Sequence, residues 1–435
     1  MNMPCHAIPR DLFDALAAGG GGPEAIRKLT AAEDSKHGLL LRGVVHAAQV
    51  AGADQARLAR HGWDVLVAAE RRSPHVVTPM LRYPSVGAWA VRTLRSLGGG
   101  AGAPGAHPAG LAAVAATAAI RSGLDAEVQV RPEAGVVSLP SLGAARVNAD
   151  LATVHSSAGH AEIRWARGRV GIPSDPQRDA PGWQGVRRVR AGNLNIGLDD
   201  LDPFRMPAVP GLAGRLPARA AGEWTRVIQQ GWHLLAADHP DVAAEVAEAT
   251  SVVVPLSPSV YGQLSSSSPE TFGALAMSQP PDPHTCAVTL THEVQHVKLG
   301  ALLDVVRLTL PDDGRRYYAP WRDDPRPVAG LLQGAYAHLG ITGFWRTQRH
   351  VASGPAQLRA DGEFALWRAG TARVIDTLLS SRRLTAAGLD FVRRMSETAV
   401  AWRDEPISDR ARAFAVRESG RHLTRWERTN GPVPA

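Results

Sequence analysis

Between Arg10 and Gly123 apolar residues recur at helical spacing in an Ala- and Leu-rich background, interrupted by GGGGP at 19–23 and GGGAGAPGAHP at 98–108. That pattern predicts helices joined by loops, the second cluster being a loose one. From Glu127 to Val209 the texture changes. EVQVRPEAGVVSLPSLG, HAEIRWARGRVGIP and GVRRVRAGNLNIGLDD bring β-branched runs separated by turn residues, and read as strands of a modest antiparallel sheet. Helical spacing returns over 216–238. SVVVPLS and FGALAMSQ then give two further strand candidates, and everything after Pro283 reads as helix apart from one loop. The fold class expected is α+β, mainly helical, with three regions: helical 1–125, β-rich 126–215, and a mainly helical 216–435 that carries the chemistry.

A chain of 435 residues with 44% apolar residues can bury a sizeable core and fill two or three lobes. The formal charge of +7 is spread along the chain, with no basic arm, and Lys28, Lys36 and Lys298 are the lysines, so Arg carries nearly all of it. An Arg bias together with abundant Ala and Gly points to genomic composition rather than to a nucleic-acid surface, and no nucleic-acid partner is expected. Cys5 and Cys286 exclude a disulfide framework and a Cys-rich zinc module. The N-terminal stretch has no signal-peptide pattern and no apolar run suits a membrane span, so the expected setting is the cytoplasm, away from the membrane.

The metal candidate lies in THEVQHVKLGALLDVV, residues 291–306, where His292, Glu293 and His296 form H-E-x-x-H. On a helix, residues four apart share a face, so His292 and His296 can present imidazoles to one cation. Glu293, about 100° round the helix, can reach a metal-bound water as a base. The bland reading is an amphipathic helix with two polar His.

A catalytic metal needs a third protein ligand and an open position. The positions at which a metzincin would place Gly and His are Leu299 and Leu302. No Glu occurs between Val297 and Gly362, which leaves Glu363 remote, and Asp304 suits a supporting or salt-bridge role. His338, in GLLQGAYAHLGITGFWR, is the better third ligand, with His350 as its weaker competitor. Gly330 and Gly334 fall on its side of a helix that Asp324 can cap and Pro325 can begin, and two small residues there leave room for something bulkier than a metal. The linking loop DDGRRYYAPWRDDPRP, residues 312–327, concentrates aromatic and guanidinium groups. It reads either as a binding surface or as a well-packed corner.

The stretches THEVQHVKLGALLDVV and RRYYAPWRDDPRPVAGLLQGAYAHLGITGFWR, and more faintly FGALAMS, resemble the HExxH-motif proteins encoded beside radical SAM enzymes in ribosomal-peptide gene clusters. The resemblance covers about Thr271 to Arg346. It implies a 2-oxoglutarate-dependent dioxygenase that hydroxylates the β-carbon of a residue in a precursor peptide, with iron(II) as metal, 2-oxoglutarate as co-substrate, and a radical SAM maturase as a further partner. Under that reading His292, His296 and His338 hold the metal, Glu293 stands close to it, and Arg322 and then Arg326 are the candidates for the distal carboxylate of 2-oxoglutarate. Two other readings compete. One is a zinc peptidase using Glu293 as base; the other is a non-catalytic peptide-binding protein with a vestigial site.

Overall fold

Six helices fill the N-terminal region of the structure, a computed structural model that describes residues 6–52, 56–157, 159–207, 209–258 and 262–433. They are α1 (Arg10–Ala17), α2 (Gly22–Val50), α3 (Ala56–Arg72), α4 (Pro74–Leu81), α5 (Pro84–Leu97) and α6 (Leu111–Ser122). The 19–23 cluster makes the turn between α1 and α2, where Gly19 and Gly21 take φ of 96° and 114°, values that favour glycine. The 98–108 cluster is the connection between α5 and α6.

Nine strands follow: β1 (Ala126–Val130), β2 (Val136–Leu139), β3 (Gly143–Arg146), β4 (Ala152–Ser157), β5 (His160–Trp165), β6 (Gly168–Ile172), β7 (Trp183–Gly185), β8 (Arg187–Ala191) and β9 (Leu194–Leu198). After α7 (Ala218–Asp238) and α8 (Pro240–Ala249) come β10 (Val252–Leu256), β11 (Ser265–Ser266) and β12 (Ala274–Ser278). The chain ends in α9 (Pro283–Val305), α10 (Val328–Val351), α11 (Gly354–Ser380), α12 (Ala386–Ala401) and α13 (Asp409–Asn430). The class is α+β and mainly helical.

The strands form three small sheets rather than one. Two are antiparallel, ordered β1-β4-β5-β6 and β2-β3-β7. The third, β11-β12-β10-β9-β8, is mixed, because β10 runs parallel to both β9 and β12. The reason is visible in the side chains: every residue of β10 and β12 is buried, the near-continuous apolar texture of strands covered on both faces.

Packing divides the chain into two discontinuous units, not the three consecutive regions that texture suggested. One comprises the residues up to Thr30, Val227–Ala249 and everything from Pro281; the other comprises Ala31–Arg226 and Thr250–Pro280. Texture changes where secondary structure changes, whereas a compact unit follows long-range packing, and two of the four boundaries fall inside α2 and α7. In the second unit one core joins Leu41, Val44, Trp89, Val114, Val254 and Ala276, and another sets Ala112 and Ala116 of α6 against Val128, Val154 and Ile163.

The first unit is organised by α9 and α10. Asp282 accepts the Thr285 N–H at 2.9 Å, Pro283 supplies the first turn, and α9 then buries Cys286, Leu290, Val294, Lys298 and Leu302 on several sides. A helix apolar almost all round belongs inside. Helix α10 is similar, burying Leu331, Tyr336, Leu339 and Phe344. Cys286 is a buried free thiol whose pKa burial pushes up to about 12, and Cys5 lies outside the described residues. Among the described residues no helix is long and apolar enough to cross a membrane.

Candidate metal centre

His292 and His296 lie one turn apart on α9 and meet edge to face, their ring centroids 4.6 Å apart and their planes at 84°. Ligand atoms of His292, Glu293 and His296 all lie within 4.8 Å of one another. His338, from the middle of α10, stands beside this group, its ring 5.7 Å from that of His292 and nearly perpendicular to it. Two packed helices therefore bring together the four residues singled out from the sequence.

Each imidazole is oriented through its Nδ1. His292 Nδ1 donates to Glu293 Oε1 at 2.9 Å, His296 Nδ1 to Gln333 Oε1 at 3.0 Å, and His338 Nδ1 to the Gly334 carbonyl at 2.9 Å. With an acceptor opposite Nδ1, each ring carries its proton there and keeps the Nε2 lone pair for a cation. This is the way metal-binding imidazoles are held by their surroundings. Burial, reinforced by the neighbouring His292, lowers the pKa of His296, and the same two causes push His338 well below the ordinary histidine value. Neutral imidazoles are the form that binds metal, so the residues present fit a divalent cation.

Glu293 is fully buried, and its Oε1 is engaged by His292. It is placed to orient that ring and adds a carboxylate to the cluster, which offers the imidazoles of His292 and His296 and one carboxylate, with His338 just outside it.

His338 is held between two indoles. Trp321 lies flat on it at 4.0 Å and 13°, and Trp367 of α11 meets it tilted at 4.9 Å and 55°. The space that Gly334 and Gly330 leave is filled by the chain itself, not kept for a ligand. A Cβ on Gly334 would come within 2.4 Å of Trp321 Nε1, and one on Gly330 within 3.1 Å of Arg326 Nε.

The linking loop is folded back on itself. Tyr317 and Arg326 exchange backbone hydrogen bonds at 2.8 and 2.9 Å, so Arg326 precedes α10 instead of lying in its first turn. Asp324 does not cap that helix. Its two oxygens accept from Arg322 Nε and Arg326 Nη1, each at 2.8 Å, because the helix starts three residues later with Pro327 at its N-cap. Much of the remaining loop chemistry docks α13: Tyr318 Oη meets His422 Nδ1 at 2.9 Å, and Asp323 takes Arg425 Nη2 at 2.8 Å. The loop is thus largely a packed corner, with Trp321 as the side chain that reaches the histidines.

The lesser candidates fall away. His350 is exposed in the last turn of α10, twelve residues and roughly 18 Å along the helix from His338. Asp304 is exposed near the end of α9. Glu363 accepts from Trp367 Nε1 at 2.8 Å, so it supports an indole beside the site, and burial raises its pKa. Leu299 and Leu302 are core residues. Gln333 and Trp367 were not foreseen. Gln333 had a signal, being a polar residue in the apolar run LLQGAYAHL; Trp367 had none, since only tertiary packing brings α11 to His338.

Lys298 is a further residue that the sequence pattern does not single out. It is 1% exposed, and its Nζ donates to the carbonyls of Gly19 and Gly20 and to Glu245 Oε2, at 3.0, 2.9 and 2.5 Å. It ties α9 to the α1–α2 turn and to α8, which fixes the helix that carries His292 and His296. Compared with known proteins, the sequence matches no family model and no curated protein.

Proposed function

We propose that this chain is an iron(II)- and 2-oxoglutarate-dependent dioxygenase that hydroxylates the β-carbon of a residue in a ribosomally made precursor peptide. What supports a metal is one observation: all three imidazoles have Nδ1 engaged by an acceptor, and no hydrogen bond to their Nε2 atoms occurs among the described residues. What supports this reaction is the resemblance of the 271–346 segment. Iron(II) held there would supply redox chemistry that couples oxidation of 2-oxoglutarate to succinate and carbon dioxide with insertion of the second atom of dioxygen into a C–H bond.

In this reading His292, His296 and His338 hold the metal, while Gln333 and the Gly334 carbonyl fix ring orientation. Glu293 contributes charge next to the site and orients His292. Trp321 and Trp367 cover His338 and keep water from it. Arg322 and Arg326 receive the distal carboxylate, a place that Asp324 takes in the structure. Glu293 is fully buried with Oε1 held by His292, which favours an orienting role over that of a peptidase base. The reaction is assigned to the cytoplasm, with a radical SAM maturase as a partner acting on the same peptide.

The test is anaerobic purification, loading with iron(II), and exposure to dioxygen and 2-oxoglutarate with a precursor peptide encoded beside the gene. Succinate and a peptide heavier by one oxygen atom are expected. Cleavage of the peptide by the zinc-loaded protein without dioxygen would overturn the proposal, and so would metal binding with no succinate under any of these conditions.

A further inference from the structure

The other unit contains a cleft. Partly open to solvent, it runs between α5, α6, β2 and the turn after β9. Its walls are apolar, with Trp89, Val114, Val137 and Phe204 all buried. Its buried polar groups are Ser85 and Asp202, 2% and 6% exposed, joined by a hydrogen bond from Ser85 Oγ to Asp202 Oδ2 at 2.7 Å. The balance of apolar wall to few polar groups is that of a small-molecule pocket.

The charges around Asp202 are uneven. The adjacent Asp199 is fully buried, its oxygens accepting from Tyr83 Oη at 2.6 Å and from the N–H groups of Leu201 and Asp202. Asp200 has two guanidinium partners, Arg187 and Arg215. Among the described residues no ion pair joins Asp199 or Asp202. The nearby Arg205 turns its Nη1 and Nη2 to the carbonyls of Asp202 and Ala213 instead. Asp202 Oδ1 accepts the Phe204 N–H at 2.8 Å, so each of its oxygens has one donor and a lone pair to spare. Burial first, and then Asp199, lift the Asp202 carboxyl to about 7. At the rim stand the exposed Arg131 and the His107–Glu133 pair.

We propose that this cleft binds a small molecule with an aromatic or branched aliphatic body and one protonated amine, the amine meeting Asp202 and the body lying along Val137 and Phe204. A buried carboxylate without a cationic partner is costly, and an ammonium brought by a ligand supplies that partner through a charge-assisted hydrogen bond. Glu133 at the rim is exposed to water and already takes His107 as a partner, so the buried Asp202 is where an added cation gains most. The inference does not depend on the metal centre.

The experiment titrates the full chain with phenethylamine, 2-phenylethanol and phenylacetate by calorimetry and determines a crystal structure with the amine. The amine should bind about tenfold more tightly than the alcohol, and phenylacetate most weakly. Asp202→Asn should erase the preference for amine over alcohol. Ser138→Trp, which fills the cleft from β2 and leaves the acidic groups in place, should abolish binding of all three. Equal affinity for amine and alcohol in the unaltered protein overturns the proposal, as does an amine seated elsewhere in the crystal or no binding at millimolar concentration.

Discussion

The indole of Trp321 lies on the imidazole of His338 at 4.0 Å between centroids, and Gly334, one turn before His338, is what admits it. The contact predicts that Gly334→Ala expels the indole, since the new Cβ would stand 2.4 Å from Trp321 Nε1 and the helix backbone cannot yield. Trp321→Ala should produce the same weakening without the steric clash. Both variants should bind metal about tenfold less tightly, the scale of losing a group that orients a ligand. Competition with a chromogenic chelator measures it, and unchanged affinity in both variants would reduce Trp321 to packing.

Gln333 reaches across from α10 to His296 on α9 at 3.0 Å. Gln333→Leu keeps the volume and removes the acceptor, so His296 loses the partner that holds its proton on Nδ1. Metal affinity should fall by about ten- to a hundredfold while the melting temperature changes little. Gln333→Glu, which retains an acceptor, should bind metal at least as well as the parent. Equal losses in the two variants would show that shape, not the hydrogen bond, is what matters.

How far these features could be read from the sequence depended on their range. Helix α9 was legible because cap, first-turn Pro and His spacing are all local, in DPHT and HEVQH. The start of α10 is masked in the sequence because Asp324 and Pro325 look like a cap, yet two guanidinia two residues away on either side compete for that carboxylate and win. Glycines beside His338 suggested vacant room; what fills it comes from the loop, Trp321 thirteen residues before Gly334 and Arg326 four before Gly330. The parallel pairing of β10 with β9 and β12 was hidden by the long connections between them. Trp367 and Lys298 act through contacts that no local pattern encodes.

Lys298 and Glu245 form a buried pair, with side-chain exposures of 0% and 4%. Lys298→Met should destabilise the protein by about 3 to 5 kcal/mol, because it leaves a buried carboxylate without its counter-charge. The double substitution Lys298→Met with Glu245→Gln should recover most of that loss, since Gln still accepts from Gly22 N, which Glu245 Oε1 binds at 2.8 Å. Urea denaturation of the three variants checks this. A double variant no more stable than the single one would mean that the carbonyls of Gly19 and Gly20, not the ion pair, carry the energy.

His37, 2% exposed, sets its Nδ1 2.9 Å from the Leu81 carbonyl, and burial lowers its pKa to about 4. Burial likewise lowers His239 to about 4. The folded state then binds fewer protons than the unfolded one below the ordinary histidine value near 6.5, so stability falls as pH drops from about 6.5 towards 4. For His37 the loss is about 3 kcal/mol at most. His37→Gln should flatten this acid limb in a series of melting curves between pH 7 and pH 4. An acid limb of unchanged steepness would assign it to His239 or to carboxylates instead.

Arg322 and Arg326 share Asp324, and the side chains are 54%, 34% and 49% exposed. If the two guanidinia take the distal carboxylate of 2-oxoglutarate, Asp324 is an internal competitor, and its removal has a sign that a purely structural role does not share. Asp324→Ala should tighten 2-oxoglutarate binding, by no more than about fivefold, because a half-exposed ion pair contributes about 1 kcal/mol or less. Arg326→Ala should weaken binding more than Arg322→Ala, since Arg326 is the less exposed and lies against Gly330 at the start of the His338 helix. Metal affinity should stay unchanged in all three, as none of these side chains is in the imidazole cluster. The measurement is anaerobic titration of 2-oxoglutarate into iron-loaded protein, followed by its charge-transfer absorption. Looser binding in Asp324→Ala would make the aspartate a loop fastener, and identical affinity in all three variants would move the carboxylate site away from the loop.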